Sequence, residues 1–142
     1  VLGLVGSGAK PDAALVEKVF LTGTTGTPPH KDIDKSALGA SDVVPWEYHK
    51  HPVALVKKLK KQGTIIVGLE LTTKSTPYYK AKFPYPACLI IGNEVDGISD
   101  KLLKLCDMVI DIPMLGRAHS LNVATAYGIA VFEMLRQYKP QK

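Results

Sequence analysis

The sequence has few cysteines, which crosslink small proteins, and no long apolar run of the kind that anchors a protein in a membrane. It has two cysteines in 142 residues, Cys88 and Cys106, which lie far apart in apolar stretches. Their spacing fits neither a disulfide scaffold nor a zinc site, so we interpret them as free thiols of a reducing compartment, the cytoplasm. No apolar run reaches the roughly 20 residues that a membrane-spanning helix needs. The apolar start, residues 1–6, lacks the preceding basic region of a signal peptide.

Arginine is also scarce, because Arg117 and Arg136 are the only two in the sequence. Lysine supplies most of the 18 basic residues, which exceed the 13 acidic ones and give a net charge of +5. An excess of this size is compatible with a polyanionic partner such as RNA. Four lysines cluster on a predicted helix over 52–62, and they form either a solvated face or an RNA-contacting one: Lys57, Lys58, Lys60 and Lys61.

Alternating apolar segments predict the fold class. Strands are expected at 16–21, 43–46, 64–71, 87–91 and 108–112, with helices at 52–62, 100–106 and from about 122 to 138. Several of the strands have few polar positions, as in a sheet that is covered on both faces. We therefore expect one α/β domain over residues 1–142, with a mainly parallel sheet flanked by helices.

Two weaker patterns suggest other classes of site. Residues 3–8 are rich in glycine, but they do not complete a dinucleotide-binding or P-loop motif. The sequence therefore gives little support for an oxidoreductase function. His49 and His51 resemble a metal pair, but the sequence offers no third ligand beside them, and a solvated loop is the better interpretation.

Two polar, glycine-bearing loops follow predicted strands, at 92–97 and 113–120. In open α/β sheets, ligands bind at the carboxyl ends of the strands. We therefore expect a site with Glu94 from one loop and Ser120 and Asn122 from the other. Ser120 is predicted to cap the last helix, whose free N–H groups suit a polar ligand or an anion.

The same loops carry a specific resemblance. Residues 90–99 (IIGNEVDGIS), 112–114 (IPM) and 120–124 (SLNVA) closely resemble motifs 2 and 3 of the SpoU (TrmH-like) RNA 2′-O-ribose methyltransferases of the SPOUT superfamily. Weaker similarity at 19–23, 35–40 and 44–46 extends the resemblance from about Val16 to the end of the chain.

The resemblance implies a C-terminal trefoil knot, a homodimer through the last helix, and S-adenosylmethionine (SAM) as cofactor without a metal. It implies methylation of a ribose 2′-hydroxyl, with tRNA preferred to rRNA as the substrate. The matching cofactor-binding positions are Leu71, Gly92, Ile112, Met114, Ser120 and Leu121. Glu94, Ser120 and Asn122 match catalytic positions, and Arg117 and His119, with Lys57 and Lys58 of the basic helix, are expected to contact RNA.

The pattern of the last helix agrees with a dimer. Leu121, Phe132 and Leu135 cannot share one helical face with Val123, Ala130 and Met134, so we expect two apolar faces. One face would cover the sheet and the other a second subunit.

The sequence departs from the family at motif 1, an Asn-x-Gly run followed by the central catalytic arginine. Residues 1–15 contain no arginine. One hypothesis is an active methyltransferase whose true N-terminal segment is incompletely represented by residues 1–15 and carries the arginine. The alternative is a knotted module that binds RNA or SAM without transferring methyl. If this segment is complete and methyl transfer occurs, Lys10 and Arg117 are the first candidates to assist the hydroxyl.

Overall fold

The computed structural model describes residues 2–5, 18–22, 46–92, 97–116 and 122–138. Three helices lie in these ranges: α1 (Pro52–Lys61), α2 (Asp100–Leu105) and α3 (Val123–Gln137). The strands are β1 (Leu2–Val5), β2 (Lys18–Thr22), β3 (Trp46–His49), β4 (Ile65–Leu69), β5 (Thr76–Pro77), β6 (Ala87–Ile91) and β7 (Met108–Asp111). Within the described ranges, no helix is long and apolar enough to cross a membrane.

The strands form one sheet in the order β3-β2-β1-β6-β4-β7-β5. β6, β4, β7 and β5 run parallel, and β2 and β3 are also parallel to each other. β1 is antiparallel to both of its neighbours, β2 and β6. The prediction of a mainly parallel sheet flanked by helices is therefore confirmed.

The central strands are buried on both faces because successive side chains point to opposite sides of a strand. Cys88 and Ile90 of β6 join Ile66 of β4 in a cluster covered by α1 and α2. Leu89 and Ile91 of β6 join a second cluster on the other face, against α3. Every residue of β6 is buried, which explains why its sequence is an uninterrupted apolar run.

The helices begin and end largely where the sequence predicts. Pro52 starts α1, Gly63 follows its end at a φ of +90°, and Leu55, Val56 and Leu59 form its buried stripe. Ser99 caps α2 by accepting a hydrogen bond from the Leu102 N–H at 3.3 Å. Helix α3 starts at Val123, which places Asn122 at the cap position. Ser120, the predicted cap, lies outside the described residues. The Asn122 carbonyl accepts from the Ala126 N–H at 2.9 Å.

The strand predictions need three corrections. β3 runs from Trp46 to His49 and so begins at the last residue of the strand predicted for 43–46, because it pairs with β2 from Trp46 onward. Leu2–Val5 form a strand paired on both sides, so half of the glycine-bearing stretch is not a loop. Thr76–Pro77, which belong to no predicted element, pair with the end of β7. The other half of that stretch, 6–8, and the strand predicted for 43–45 lie outside the described residues.

Helix α3 buries one side and leaves an apolar residue on the other. Tyr127, Ala130, Val131 and Met134 are buried against the sheet, whereas the Phe132 side chain is 64% exposed. The assignment of Leu135 to the Phe132 face was wrong, since Leu135 packs on the same cluster as Met134. The cause is the breadth of the buried stripe, which spans more than one row of the helix. The predicted knot and dimer stay predictions.

Candidate functional site

Three parallel strands end side by side at one edge of the sheet. β4 lies between β6 and β7, and its last residue, Leu69, is paired with Ile91 on one side and Ile110 on the other. Neighbouring strands are about 4.8 Å apart, so the chains leaving β6 and β7 flank β4 at a separation of roughly 10 Å. The two predicted loops therefore start at one edge, with the end of β4 between their starting points.

Four of the predicted cofactor-binding residues lie at this edge. Leu71 follows β4 and is 66% exposed, although it is apolar. Gly92 directly follows β6, and Ile112 and Met114 follow β7 with partly buried side chains. Apolar side chains beside strand-end backbone suit a small ligand that has both an apolar and a polar part.

Gly92 is held against the chain itself. A Cβ atom on Gly92 would overlap the backbone of Gly97 and Ile98. Gly97 adopts a φ of +67°, which favours glycine. The loop that leaves β6 therefore returns to its own start, and the need for glycine at position 92 arises from this backbone contact without any ligand.

Glu70 connects the three strand ends. Its backbone N–H donates to the Ile110 carbonyl of β7 at 3.0 Å. Its carboxylate Oε2 accepts a hydrogen bond from the Ile98 N–H at 2.9 Å. The residue thus bonds to β7 through its backbone and to Ile98, seven residues after the end of β6, through its side chain.

A second polar contact holds the segment after β4. Asp111, the buried last residue of β7, has its Oδ2 2.7 Å from the Ser75 hydroxyl oxygen. That hydroxyl also accepts a hydrogen bond from the Thr72 N–H at 3.0 Å. The turn at 72–75 is thereby fixed to the strand end that leads into Ile112.

Asn122 is the one predicted catalytic residue that lies within the described residues. It is exposed at the N-terminus of α3, and its side-chain oxygen is 3.4 Å from the Thr125 N–H. The other predicted residues of the two loops lie outside the described ranges: Glu94, Arg117, His119, Ser120 and Leu121.

The lysines of α1 do not form one uniform face. Lys57 and Lys58 are exposed, as expected for groups that could contact RNA. Lys60 instead donates to the Leu105 carbonyl at 2.7 Å and lies 3.5 Å from the Asp107 carboxylate. Lys60 therefore has a structural role, because it ties α1 to the end of α2, and it drops out of the predicted RNA-binding face.

Neither cysteine is a nucleophile at neutral pH. Burial raises the pKa of the Cys88 thiol to about 12 and that of Cys106 to about 11, with Asp107 adding to the second shift. Both thiols are free, as predicted. In the described part of the chain, no group of three or more His, Cys, Asp or Glu side chains is arranged to hold a metal ion, and His49 lies 3.0 Å from Glu47.

Sequence reasoning missed Glu70 and Ser75 as parts of the site. Glu70 was included in an apolar strand, and Ser75 in a polar loop. The signal that could have identified Glu70 was its position directly after an apolar strand of a parallel sheet, because ligands bind at that edge in such sheets.

The loop contact at Gly92 predicts a change in stability. We expect Gly92→Ala to lower the free energy of unfolding by about 1–3 kcal/mol, because the new Cβ must push away the backbone at Gly97. Gly116→Ala is the matched control, since a Cβ there meets nothing within 4 Å, and we expect a change of at most about 0.5 kcal/mol. Urea unfolding measures both. Equal effects of the two substitutions would contradict the described contact.

Comparison with known proteins identifies the family. The profile of the SpoU rRNA Methylase family matches residues 11–132. The chain is 34% identical over 126 residues to the 23S rRNA (guanosine-2′-O-)-methyltransferase RlmB of Vibrio parahaemolyticus, which covers 89% of this chain and 51% of that protein. It is 37% identical over 87 residues to the tRNA (guanosine(18)-2′-O)-methyltransferase of Aquifex aeolicus, covering 61% of this chain and 41% of that protein.

Solved structures agree with the sequence comparison. The AdoMet-bound rRNA methyltransferase from Sinorhizobium meliloti superposes with a TM-score of 0.75 at 27% identity, over 84% of this chain and 46% of that chain. The chain spans about half the length of the first relatives that it matches. The family match covers most of the chain, and the fold superposes on a solved methyltransferase, so the chain belongs to the SpoU rRNA Methylase family.

Proposed function

We propose that this chain is a SAM-dependent RNA methyltransferase domain that methylates a ribose 2′-hydroxyl. The observation that carries the proposal is the edge formed by β6, β4 and β7, in a fold that superposes on an AdoMet-bound methyltransferase. The family match over residues 11–132 supports the same activity.

The residues at the edge fit SAM in their chemistry. Leu71, Ile112 and Met114 offer apolar surface for an adenosyl group, and the strand ends offer backbone groups for its polar atoms. We assign cofactor binding to these residues with Gly92, Ser120 and Leu121. When bound, SAM supplies a methyl group activated by a positive sulfur.

The chain must then position the ribose hydroxyl in line with that methyl group and assist the loss of its proton. Glu94, Ser120 and Asn122 are the side chains that we assign to this task. Support for Asn122 comes from its exposed position at the start of α3. Arg117 and His119 are proposed to contact the RNA.

The missing arginine of motif 1 supports a second candidate, an RNA- or SAM-binding module without transferase activity. Residues 1–15 contain no arginine, and the only two in the sequence are Arg117 and Arg136. The two candidates share the cofactor site and differ in the proton-transfer step.

The substrate is proposed to be tRNA, with rRNA as the competing choice. The relatives include methyltransferases named for tRNA and for 23S rRNA. The alignment with the rRNA enzyme of Vibrio parahaemolyticus is longer than that with the tRNA enzyme of Aquifex aeolicus. Both names specify guanosine, which makes a guanosine ribose the first position to examine.

Methyl transfer from labelled SAM tests the activity and the substrate together. We expect label in tRNA at a single ribose, found by mapping the alkali-resistant linkage that a 2′-O-methyl group creates. Transfer to rRNA alone would revise the substrate. If SAM binds but neither RNA gains label, the binding module replaces the enzyme. If SAM does not bind, the enzyme fails, and so does the SAM-binding form of the module.

The exposed lysines predict a salt-dependent affinity for RNA. Lys57→Glu with Lys58→Glu should weaken RNA binding and flatten the plot of log K against log salt by about 0.7–0.9 for each phosphate that the variant no longer neutralises. Lys82→Glu is a matched control, because Lys82 is exposed on the segment that packs against α3, on the other face of the sheet. An unchanged slope in the double variant would show that the α1 lysines are only solvated.

We also propose that the chain forms a homodimer through the exposed side of α3. An open hollow of about 670 Å³ lies there, lined by Tyr78, Thr125, Gly128, Ile129, Phe132, Glu133 and Arg136. Phe132 is 64% exposed inside this surface, and burying a phenylalanine stabilises an interface by about 1.5–3 kcal/mol.

Sedimentation at micromolar concentration tests the dimer. The wild-type chain should sediment as a dimer, and Phe132→Asp should sediment as a monomer because it would place a charge in the apolar contact. Tyr48→Asp is the control, since it adds the same charge at another exposed aromatic residue, on the far edge strand β3. A monomeric wild-type chain would refute the proposal.

A further inference from the structure

We infer that Glu70 is a positioning residue of this site, whose carboxylate holds the loop after β6 in the shape that binds the cofactor. The inference rests on the proposed function, because it concerns the same cofactor site. Glu70 has a role in neither the proposed chemistry nor the family resemblance, and its contacts are with the loop.

The first observation is a single hydrogen bond at a buried position. Ile98 is 6% exposed, and its N–H donates to Glu70 Oε2 at 2.9 Å. A buried backbone N–H needs a partner, and a carboxylate makes a stronger bond than a neutral acceptor. Glu70 thereby supplies the acceptor that the buried Ile98 N–H needs.

The second observation is the close approach of Gly97. A Cβ on Gly97 would lie 2.8 Å from Oε2 and 2.9 Å from Oε1 of Glu70, so the carboxylate occupies the space of a side chain there. Gly97 and Ile98 in turn pack on Gly92. The contacts form a chain from Glu70 through the end of the loop to Gly92, one of the residues that we assign to the cofactor.

The third observation is where Glu70 is anchored. Its N–H is bonded to the Ile110 carbonyl, two residues before Ile112. The side chain therefore sets the distance between the loop after β6 and the end of β7, which together flank the proposed ligand. Without this contact, the loop would have to be ordered on binding, and this ordering would weaken the observed affinity.

Three variants of Glu70 distinguish the effect of losing the hydrogen bond from the effects of losing the charge or the fold. Glu70→Ala removes the acceptor, and Glu70→Asp keeps the charge but shortens the side chain by one methylene. Glu70→Gln keeps an oxygen that can accept from the Ile98 N–H. Asp100→Ala is the matched control, because it removes an exposed carboxylate only two residues beyond Ile98.

Two measurements on the full chain report the role. Hydrogen exchange of the Ile98 amide, without SAM, tests the contact, and calorimetry with SAM tests its consequence. We expect Glu70→Ala and Glu70→Asp to speed the exchange and to raise the Kd for SAM, each by about tenfold or more. Glu70→Gln and Asp100→Ala should stay within about threefold of wild type on both measurements.

The outcomes are distinct. Wild-type exchange or wild-type SAM affinity in both Glu70→Ala and Glu70→Asp would overturn the inference, and so would equal loss of affinity in Asp100→Ala. If the alanine variant does not fold, the aspartate variant decides. If the wild-type chain binds no SAM, the proposed function fails first, and the positioning role fails with it, whereas the exchange of Ile98 still reports whether the contact exists.

Discussion

Burial of β4 and β6 on both faces is the constraint on which the rest of the structure depends. These strands must be apolar throughout, and helices must cover both sides of the sheet. Because they run parallel, their carboxyl ends meet at one edge. Glu70 and Ser75, which form the polar contacts at this edge, accordingly follow β4, where the chain leaves the apolar layer.

At that edge, polar side chains form hydrogen bonds that pair a backbone N–H and hold a turn in place. Glu70 accepts from the Ile98 N–H, and Asp111 contacts the Ser75 hydroxyl. These contacts fix the three chain segments around the end of β4. A ligand bound there would meet a surface whose shape is already set, which is the condition for precise positioning of two reactants.

Much of the fold could be predicted from the sequence. The apolar run at 87–91 and the proline and glycine around α1 predicted β6 and α1 almost to the residue, because these signals are local. The antiparallel pairing of β1 could not be predicted, since Leu2–Val5 is only four residues long, is interrupted by Gly3 and pairs with residues 87–90 far along the chain. Asn122, at the cap position of α3, was not singled out as a cap because serine and asparagine both favour that position.

The prediction of the site had two sources. The location at the strand ends followed from the α/β pattern, whereas the cofactor and the reaction followed from the resemblance of motifs 2 and 3. Glu70 was missed because a contact with Ile98 spans 28 residues, and no local pattern predicts it. Lys60 appeared equivalent to Lys58 in the sequence, but only one of them reaches the carbonyl at the end of α2.

The central claim is that the loops at the ends of β6 and β7 bind SAM. Hydrogen exchange of the wild-type chain, with and without saturating SAM, tests it most directly. We predict slower exchange with SAM at the amides of 97–98, 112 and 114–116, and unchanged exchange along α1. Unchanged exchange at both loops, or protection confined to α1, would contradict it.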